Sequence, residues 1–213
     1  MRRFSYLQDP AAIYRLSFER AREACDLSHL PAELHVVALR LVHASARPQL
    51  VERLAWHGAP VSAARRALAA GAPILCDVRA VAVEIRRERL PAANPVLCHI
   101  ADPEVAEEAA RRRITRAMAA VERWGGRVEG AVVVIGNAPT ALFRLLERIV
   151  GEGLRPASIL AFPVGFVGAA ESKEALLDVA REIGLDVLAL RGTDGGAALA
   201  AAAVNARFAG GEG

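Results

Sequence analysis

From about residue 72 onward, short apolar runs alternate with amphipathic segments, and this alternation constrains the fold most strongly. The apolar runs cover 72–78, 95–100, 131–135, 158–162 and 186–190. Segments of helical period lie at roughly 79–89, 103–124, 138–152, 172–184 and 195–208. Strands alternating with helices form parallel βαβ units, and continuously apolar strands are typical of a sheet covered on both faces. The sequence therefore predicts an α/β protein with a three-layer, mostly parallel, doubly wound sheet.

Three N-terminal helices are predicted ahead of the first strand. The first opens at Asp9-Pro10, because aspartate is a good N-cap and proline suits the first helical position. The second opens at Pro31, and the third runs from about 61 to 70, where Gly71 ends it. No repeat or linker divides the chain. We therefore predict a single domain over 1–213, with a disordered tail at about 209–213.

Composition limits the possible classes of function. The chain has 213 residues, 54% of them hydrophobic, without an apolar run of membrane-spanning length or a signal-peptide pattern. A cytoplasmic protein that contacts no membrane is expected. The formal net charge of +3 is spread along the chain and does not indicate nucleic-acid binding. The three cysteines and five histidines lack the spacing of metal ligands, so no metal site is expected.

The second predicted helix carries two unusual residues, Arg40 and His43, in the otherwise apolar run PAELHVVALRLVHASA. A guanidinium is rarely buried without a partner. This helix therefore has either a solvent-exposed edge or an edge that faces a site in which a cation and a titratable group are needed. Tyr14 and Ser17 have the same spacing on the first helix. Each of these residues also has a purely structural interpretation, for example a half-buried core histidine.

The segments that follow the predicted strands are the second candidate region, since ligands of open parallel sheets bind beyond the carboxyl ends of the strands. The segment FPVGFVG stays apolar and glycine-rich, which suits a flat hydrophobic ligand. Asp77, after the first run, is a possible cap of the next helix. Dinucleotide-binding, Walker, nucleophile-elbow and zincin motifs are absent from the sequence, so no nucleotide cofactor is indicated.

Six segments together resemble the precorrin-8X methylmutase (precorrin isomerase) family, which includes the cobalt-precorrin-8 methylmutases. They are YLQDPAAIYRLSF, LRLVHASA, AGAPILCDVRAV, IGNAPTALFRLLE, FPVGFVGAAESKEAL and RGTDGGAALAAAAVNA, and they run in order from about 6 to 206. The segments GNAPTAL and FPVGFVGAAESK are the most specific, because the fold in general requires neither.

The resemblance implies a cofactor-free isomerase of vitamin B12 biosynthesis. Such an enzyme moves a methyl group from ring carbon 11 to ring carbon 12 of precorrin-8X or cobalt-precorrin-8, giving hydrogenobyrinate or cobyrinate. His43 matches the catalytic histidine, expected to protonate the ring C nitrogen and later to recover the proton. The resemblance also implies a homodimer with its sites near the interface.

The resemblance further implies a set of substrate-binding residues, in which cations would hold the acetate and propionate carboxylates of the tetrapyrrole. Arg116 is expected to act from the partner subunit, and Lys173, the single lysine among 27 basic residues, to reach a carboxylate. Gly136 would help to shape the pocket floor. The predicted substrate-binding residues are Tyr14, Ser17, Arg40, Arg116, Asn137, Val164, Gly165 and Lys173.

One position departs from the family pattern, which usually has glycine three residues after the catalytic histidine. Here that residue is Ala46. Alanine is harmless there if the backbone is helical, but costly if the position needs a positive φ. We expect activity to survive this difference.

Two other functions are compatible with parts of the sequence. A non-catalytic tetrapyrrole carrier would keep the arginines and the FPVGFVG segment but would have no need of His43. An S-adenosylmethionine-dependent methyltransferase would need a glycine-rich loop after the first strand, where this chain has CDVRAV. The carrier is the stronger alternative.

Overall fold

A computed structural model describes residues 4–206, and six strands of that part of the chain form one sheet. In chain order they are β1 (Leu54–His57), β2 (Ile74–Cys76), β3 (Val96–Leu97), β4 (Val132–Ile135), β5 (Ser158–Ala161) and β6 (Val187–Leu190). Their spatial order is β1-β6-β5-β4-β2-β3, with β1 antiparallel to β6 and all other neighbours parallel. From β2 the chain passes to β3 at one edge and then, on the other side of β2, through β4, β5 and β6 in turn, which confirms the predicted doubly wound sheet.

Helices connect and cover these strands. They are α1 (Pro10–Glu23), α2 (Ala32–Ser45), α3 (Pro60–Ala69), α4 (Arg79–Glu84), α5 (Pro103–Arg112), α6 (Arg116–Glu122), α7 (Pro139–Glu152), α8 (Ala169–Ile183) and α9 (Ala197–Asn205). Short 3-10 helices cover Pro48–Arg53, Arg87–Arg89 and Gly125–Val128. Among the described residues, no helix has both the length and the apolar character that a membrane crossing requires.

The core has two layers because successive strand side chains point to opposite faces of the sheet. Val132 and Val134 of β4 join the cluster formed with α2, α3, α4 and α9. Val133 and Ile135 join the cluster formed with α6, α7 and α8. All four side chains are fully buried. The three-layer prediction is thereby confirmed.

Local differences from the prediction have clear causes. Strand β1 was not predicted, since its four residues LAWH show no period and pair only with the distant strand β6. The helix predicted over 103–124 is divided into α5 and α6. Arg113 ends α5 in the left-handed region (φ 56°), and the Thr115 side chain caps α6 by accepting the Met118 N–H at 3.2 Å.

Other predicted elements differ only in length. The run 95–100 contains the two-residue strand β3, and the helix predicted over 79–89 ends at residue 84. The helix predicted over 172–184 begins already at residue 169. Helix α9 ends at residue 205, and the predicted disordered tail at 209–213 lies outside the described residues.

The carboxyl ends of the neighbouring strands β2 and β4 lie side by side, and Asp77 is fully buried between them. Its carboxylate accepts the backbone N–H groups of Gly136, Asn137 and Ala138 at 2.8, 2.9 and 2.8 Å. Burial raises the pKa of Asp77, while these three donors act in the opposite direction. Asp77 does not cap α4, as the sequence had suggested, but fixes the turn between β4 and α7.

Gly136 directly follows β4 and lies against α4 and α9, which cover this face of the sheet. A Cβ atom here would collide with the side chain of Val81 in α4 and lie 3.0 Å from the Cβ of Ala200 in α9. Glycine is therefore required for packing rather than for its backbone angles.

We expect Gly136→Ala to lower the free energy of unfolding by about 1–3 kcal/mol, since an added methyl group overpacks a dense core. Chemical denaturation would measure the change. Gly151→Ala, in α7 with no atom within 4 Å of the added Cβ, is the control. It should leave stability unchanged or raise it by up to about 1 kcal/mol. Equal stability of the two variants would contradict this account of Gly136.

Candidate active site

His43 lies in the last turn of α2, against one face of α1. Its Nδ1 is 2.7 Å from the Ser17 hydroxyl oxygen. The Phe18 ring stacks on the imidazole, with centroids 4.6 Å apart and an interplanar angle of 21°, and Tyr14 meets it edge-on at 5.6 Å. Residues three and four apart share a helix face, so Tyr14, Ser17 and Phe18 surround the imidazole together. The structure thus brings together the predicted residues of the first two helices.

Arg40 is buried one turn before His43, with only 8% of its surface exposed. Its guanidinium carbon lies 5.1 Å from the Phe18 ring centroid and 5.6 Å from that of Tyr14, within the range of cation–π attraction. No carboxylate of residues 4–206 forms an ion pair with it. A buried cation without an anion is costly, so this arrangement can accept a negatively charged ligand.

The surroundings of His43 favour its neutral form. Burial lowers the pKa of His43, and the positive charges of Arg40 and Arg86 lower it further. In the neutral imidazole, an Nδ1 that accepts the Ser17 hydroxyl hydrogen leaves the proton on Nε2. A bound carboxylate would offset the arginine charges and raise the pKa of His43. An anion bound beside Arg40 would therefore favour the protonated imidazole.

Two cavities border this group, one on each side of α1. The cavity beside His43 and Ser17 has a volume of about 420 Å³ and is mainly apolar. The cavity beside Tyr14, Phe18 and Arg40 has a volume of about 640 Å³. Both are of the size of small-molecule sites. The candidate site therefore lies along α1 and α2.

Asn137, Val164 and Gly165 form a second group at the carboxyl edge of the sheet. The Val164 N–H donates to the Asn137 carbonyl at 3.2 Å, and the Gly165 N–H donates to the Thr193 carbonyl at 3.1 Å. The loop between β5 and α8 exposes Phe166 by 95%. None of these described residues contacts the His43 group directly.

Lys173 holds two loops of this edge together. Its Nζ is fully buried and donates to the carbonyl oxygens of Pro163 and Asp194 at 3.0 and 2.8 Å. Burial lowers the pKa of Lys173 to about 8. The expectation that Lys173 reaches a substrate carboxylate does not agree with this arrangement, because its ammonium group has backbone partners and no exposed surface.

Arg116 begins α6, on the face of the sheet opposite α2, and is exposed. The adjacent Thr115 hydroxyl is 2.9 Å from that of Thr140 in α7, which places Arg116 near the start of that helix. Within one chain, the described contacts do not join Arg116 to His43.

Asp194 connects the two groups, although it was not among the predicted site residues. Arg47, two residues beyond α2, donates to both its carboxylate oxygens at 2.9 and 3.0 Å, and Arg53 binds the same carboxylate. The end of α2 is thereby fixed at the carboxyl edge of β6. Phe18 was also missed, although its position four residues after Tyr14 was a signal for a shared helix face.

Ala46 ends α2 in the left-handed region, with φ 54° and ψ 31°. Its N–H donates to the Val42 carbonyl at 2.7 Å, so this backbone conformation closes the helix. A residue with a Cβ is strained there, whereas glycine is not. The departure from the family pattern therefore falls at a position that favours glycine.

We expect Ala46→Gly to raise the free energy of unfolding by up to about 1 kcal/mol, because it removes the left-handed strain. Since Ala46 also lines the cavity beside His43, ligand affinity should change by less than about tenfold. Thermal unfolding and ligand titration would measure both effects. Ala44→Gly, a substitution inside the same helix, should instead lower the free energy of unfolding. A similar decrease in Ala46→Gly would contradict the interpretation that Ala46 is strained by its left-handed backbone.

Comparison with known proteins gives a consistent result. A profile of the precorrin-8X methylmutase family matches residues 12–209. The precorrin-8X methylmutases of Pseudomonas aeruginosa and a Sinorhizobium species are 49% and 46% identical, over 94% and 96% of this chain and 96% and 97% of theirs. The crystal structure of precorrin-8X methyl mutase from Thermus thermophilus has a TM-score of 0.82 and 35% identity, covering 92% of this chain and 93% of that one.

Proposed function

Because this chain belongs to the precorrin-8X methylmutase family, we propose that it moves a methyl group between ring carbons 11 and 12 of precorrin-8X or cobalt-precorrin-8. The chain is an isomerase of vitamin B12 biosynthesis. We assign the active site to His43 on one observation: His43 contacts the Ser17 hydroxyl beside Arg40, a buried cation without an ion-pair partner in the described residues.

His43 is proposed to move the proton that makes the methyl shift possible. A substrate carboxylate on Arg40 would offset a charge that lowers the pKa of His43, and so would increase the protonated fraction of the imidazole. The imidazolium would protonate the ring C nitrogen, draw electron density toward that ring, and recover the proton after migration. Ser17 orients the imidazole, and Phe18 holds its plane.

The macrocycle is proposed to contact the faces of α1 and α2 together with the loop after β5. Val164 and Gly165 of that loop would lie along the apolar ring, and Asn137 would form the floor. The loop exposes apolar side chains, which suits contact with a flat hydrophobic ligand or a protein surface.

The test is conversion of precorrin-8X under anaerobic conditions, followed by the visible spectrum of hydrogenobyrinate, with cobalt-precorrin-8 as a second substrate. We expect His43→Asn to lower the rate at least about 100-fold, the usual contribution of a proton-transfer residue. His29→Asn, which changes an exposed histidine, should retain wild-type activity. Binding of both tetrapyrroles without conversion by the wild type would contradict the isomerase and favour the carrier.

We further propose that the enzyme acts as a cytoplasmic homodimer whose partner completes the site. Within the described residues, no hydrogen bond, ion pair or ring contact joins Arg116 or the loop around Val164 to His43, and the loop exposes Phe166 and Val167 by 95% and 88%. A second copy could cover such side chains and bring its own Arg116 to the ligand.

Mixing two inactive variants tests the shared site. We expect the His43→Asn and Arg116→Ala variants each to have impaired activity. When the two are dissociated, mixed and reassembled, half of the dimers should contain one chain of each kind, and each of these has one site with an intact His43 and an intact Arg116. The mixture should therefore regain about a quarter of wild-type activity. Sedimentation would confirm that dimers form. A fully active monomer, or an Arg116→Ala variant with wild-type activity, would contradict this arrangement.

A further inference from the structure

The loop between β6 and α9, residues 191–196, is bound to the loop after β5 through backbone atoms. The Gly196 N–H donates to the Phe162 carbonyl at 2.9 Å, and the Gly165 N–H donates to the Thr193 carbonyl at 3.1 Å. Neither hydrogen bond involves a side chain of the 191–196 loop. The backbone of this loop is therefore held at the carboxyl edge of the sheet independently of what its side chains bind.

Asp194, in the middle of this loop, uses its backbone and its side chain for different partners. Its carbonyl accepts the Lys173 ammonium at 2.8 Å. Its carboxylate accepts two guanidinium nitrogens of Arg47 at 2.9 and 3.0 Å and also binds Arg53. A bidentate pair fixes a guanidinium in direction as well as in distance, and two arginines on one carboxylate form a network rather than an isolated surface pair.

Arg47 belongs to the wall of the cavity beside His43. Its two neighbours in the chain, Ala46 and Pro48, both line that cavity. Ala46 closes α2 in the left-handed region, where a residue with a Cβ is strained. A contact just beyond this strained residue is needed to keep the helix end closed, and the pair of Arg47 with Asp194 supplies one.

Helix α1, which touches His43 from the other side, is itself weakly anchored. Of its fourteen residues, only Ala21 is buried. The Ser17 hydrogen bond and the Phe18 stack can therefore place the imidazole only as accurately as α1 is held. The end of α2, in contrast, is joined through Asp194 to the edge of the sheet.

We propose that Asp194 is a positioning residue for the methyl shift, which acts through Arg47 by holding the end of α2 so that His43 keeps its geometry beside the cavity. This inference rests on the proposed function, since it takes His43 as the proton-transfer residue. Asp194 contacts no ligand in this role, so its loss should affect the reaction step more than tetrapyrrole binding. Misplacement of a reacting group by about 1 Å can cost about 100-fold in rate.

The test is Asp194→Asn, which removes the charge but leaves the size of the side chain and the backbone bond to Lys173 unchanged. In anaerobic conversion of precorrin-8X, kcat should fall at least about tenfold, whereas KM and the Kd of hydrogenobyrinate should change less than about threefold. Asp194→Glu, which retains the charge, should regain part of the lost kcat. Asp178→Asn, which breaks an exposed ion pair with Arg181 inside α8, is the control and should keep the wild-type kcat.

The same pair can be broken from its other side. Arg47→Gln should lower kcat as much as Asp194→Asn does, and the double variant should lose no more than either single variant, because both substitutions remove one shared interaction. Additive losses would contradict an effect of Asp194 through Arg47. Thermal unfolding identifies the variants that fold, and if Asp194→Asn does not, Arg47→Gln decides the proposal by the same measurements.

A second readout needs no tetrapyrrole. If the Nδ1 of His43 accepts the Ser17 hydroxyl hydrogen, the ¹⁵N NMR spectrum of the free protein should show one imidazole tautomer, with the proton on Nε2. In Asp194→Asn these resonances should move toward the mixture of tautomers of a free imidazole, and in Asp178→Asn they should stay unchanged. A role of Asp194 in overall stability alone would not produce this shift in a folded variant.

The outcomes separate this inference from the proposed function. If the wild type converts the tetrapyrrole and Asp194→Asn keeps the wild-type kcat, the positioning role is wrong and the proposed function stands. A loss confined to KM, or an equal loss in Asp178→Asn, would also overturn the positioning role, as would unchanged His43 resonances in Asp194→Asn. If the wild type converts neither tetrapyrrole, the proposed function is wrong, and with it the role of Asp194 in the methyl shift.

Discussion

The buried carboxylate of Asp77 is the constraint on which the carboxyl edge of the sheet depends. It fixes the turn after β4 through three backbone N–H groups, and the Asn137 carbonyl of that turn accepts the Val164 N–H. The neighbouring Pro163 carbonyl binds Lys173, which also binds the loop containing Asp194. A continuous series of hydrogen bonds thus runs from the centre of the sheet to its antiparallel edge.

The same series reaches the candidate catalytic histidine. Asp194 holds Arg47, just beyond the left-handed residue Ala46 that ends α2, and His43 lies in the last turn of this helix. The hydrogen bonds and charges of Arg47 and Arg53 keep the pKa of Asp194 below its usual value, so the Asp194 carboxylate that binds them is ionised at neutral pH. The position of His43 is therefore determined by the sheet edge as well as by its contacts with α1.

The arginines of the described chain fall into two groups, those that form an ion pair with a carboxylate and those that do not. Arg112 of α5 and Arg144 of α7 both pair with Glu122 of α6 and so link the three helices, whereas Arg148 pairs with Glu152 within α7. Arg40 is buried against the rings of Tyr14 and Phe18 and forms no ion pair with a carboxylate of the described residues. Burial lowers the pKa of His43, the charges of Arg40 and Arg86 lower it further, and a bound anion would act in the opposite direction.

The alternation of apolar runs and amphipathic segments by itself determined the class of fold, because strand and helix periods are local properties of the chain. The spacing of Tyr14, Ser17, Arg40 and His43 likewise determined which side chains share a helix face. Only the tertiary structure decided the antiparallel strand β1, the division of α5 from α6, and the partners of Lys173 and Asp194. These depend on partners far away in sequence: Arg47 and Asp194 are 147 residues apart. Local sequence patterns contain no information about such pairs, because only the packing of α2, α4 and α9 on the sheet brings the paired residues within hydrogen-bonding distance.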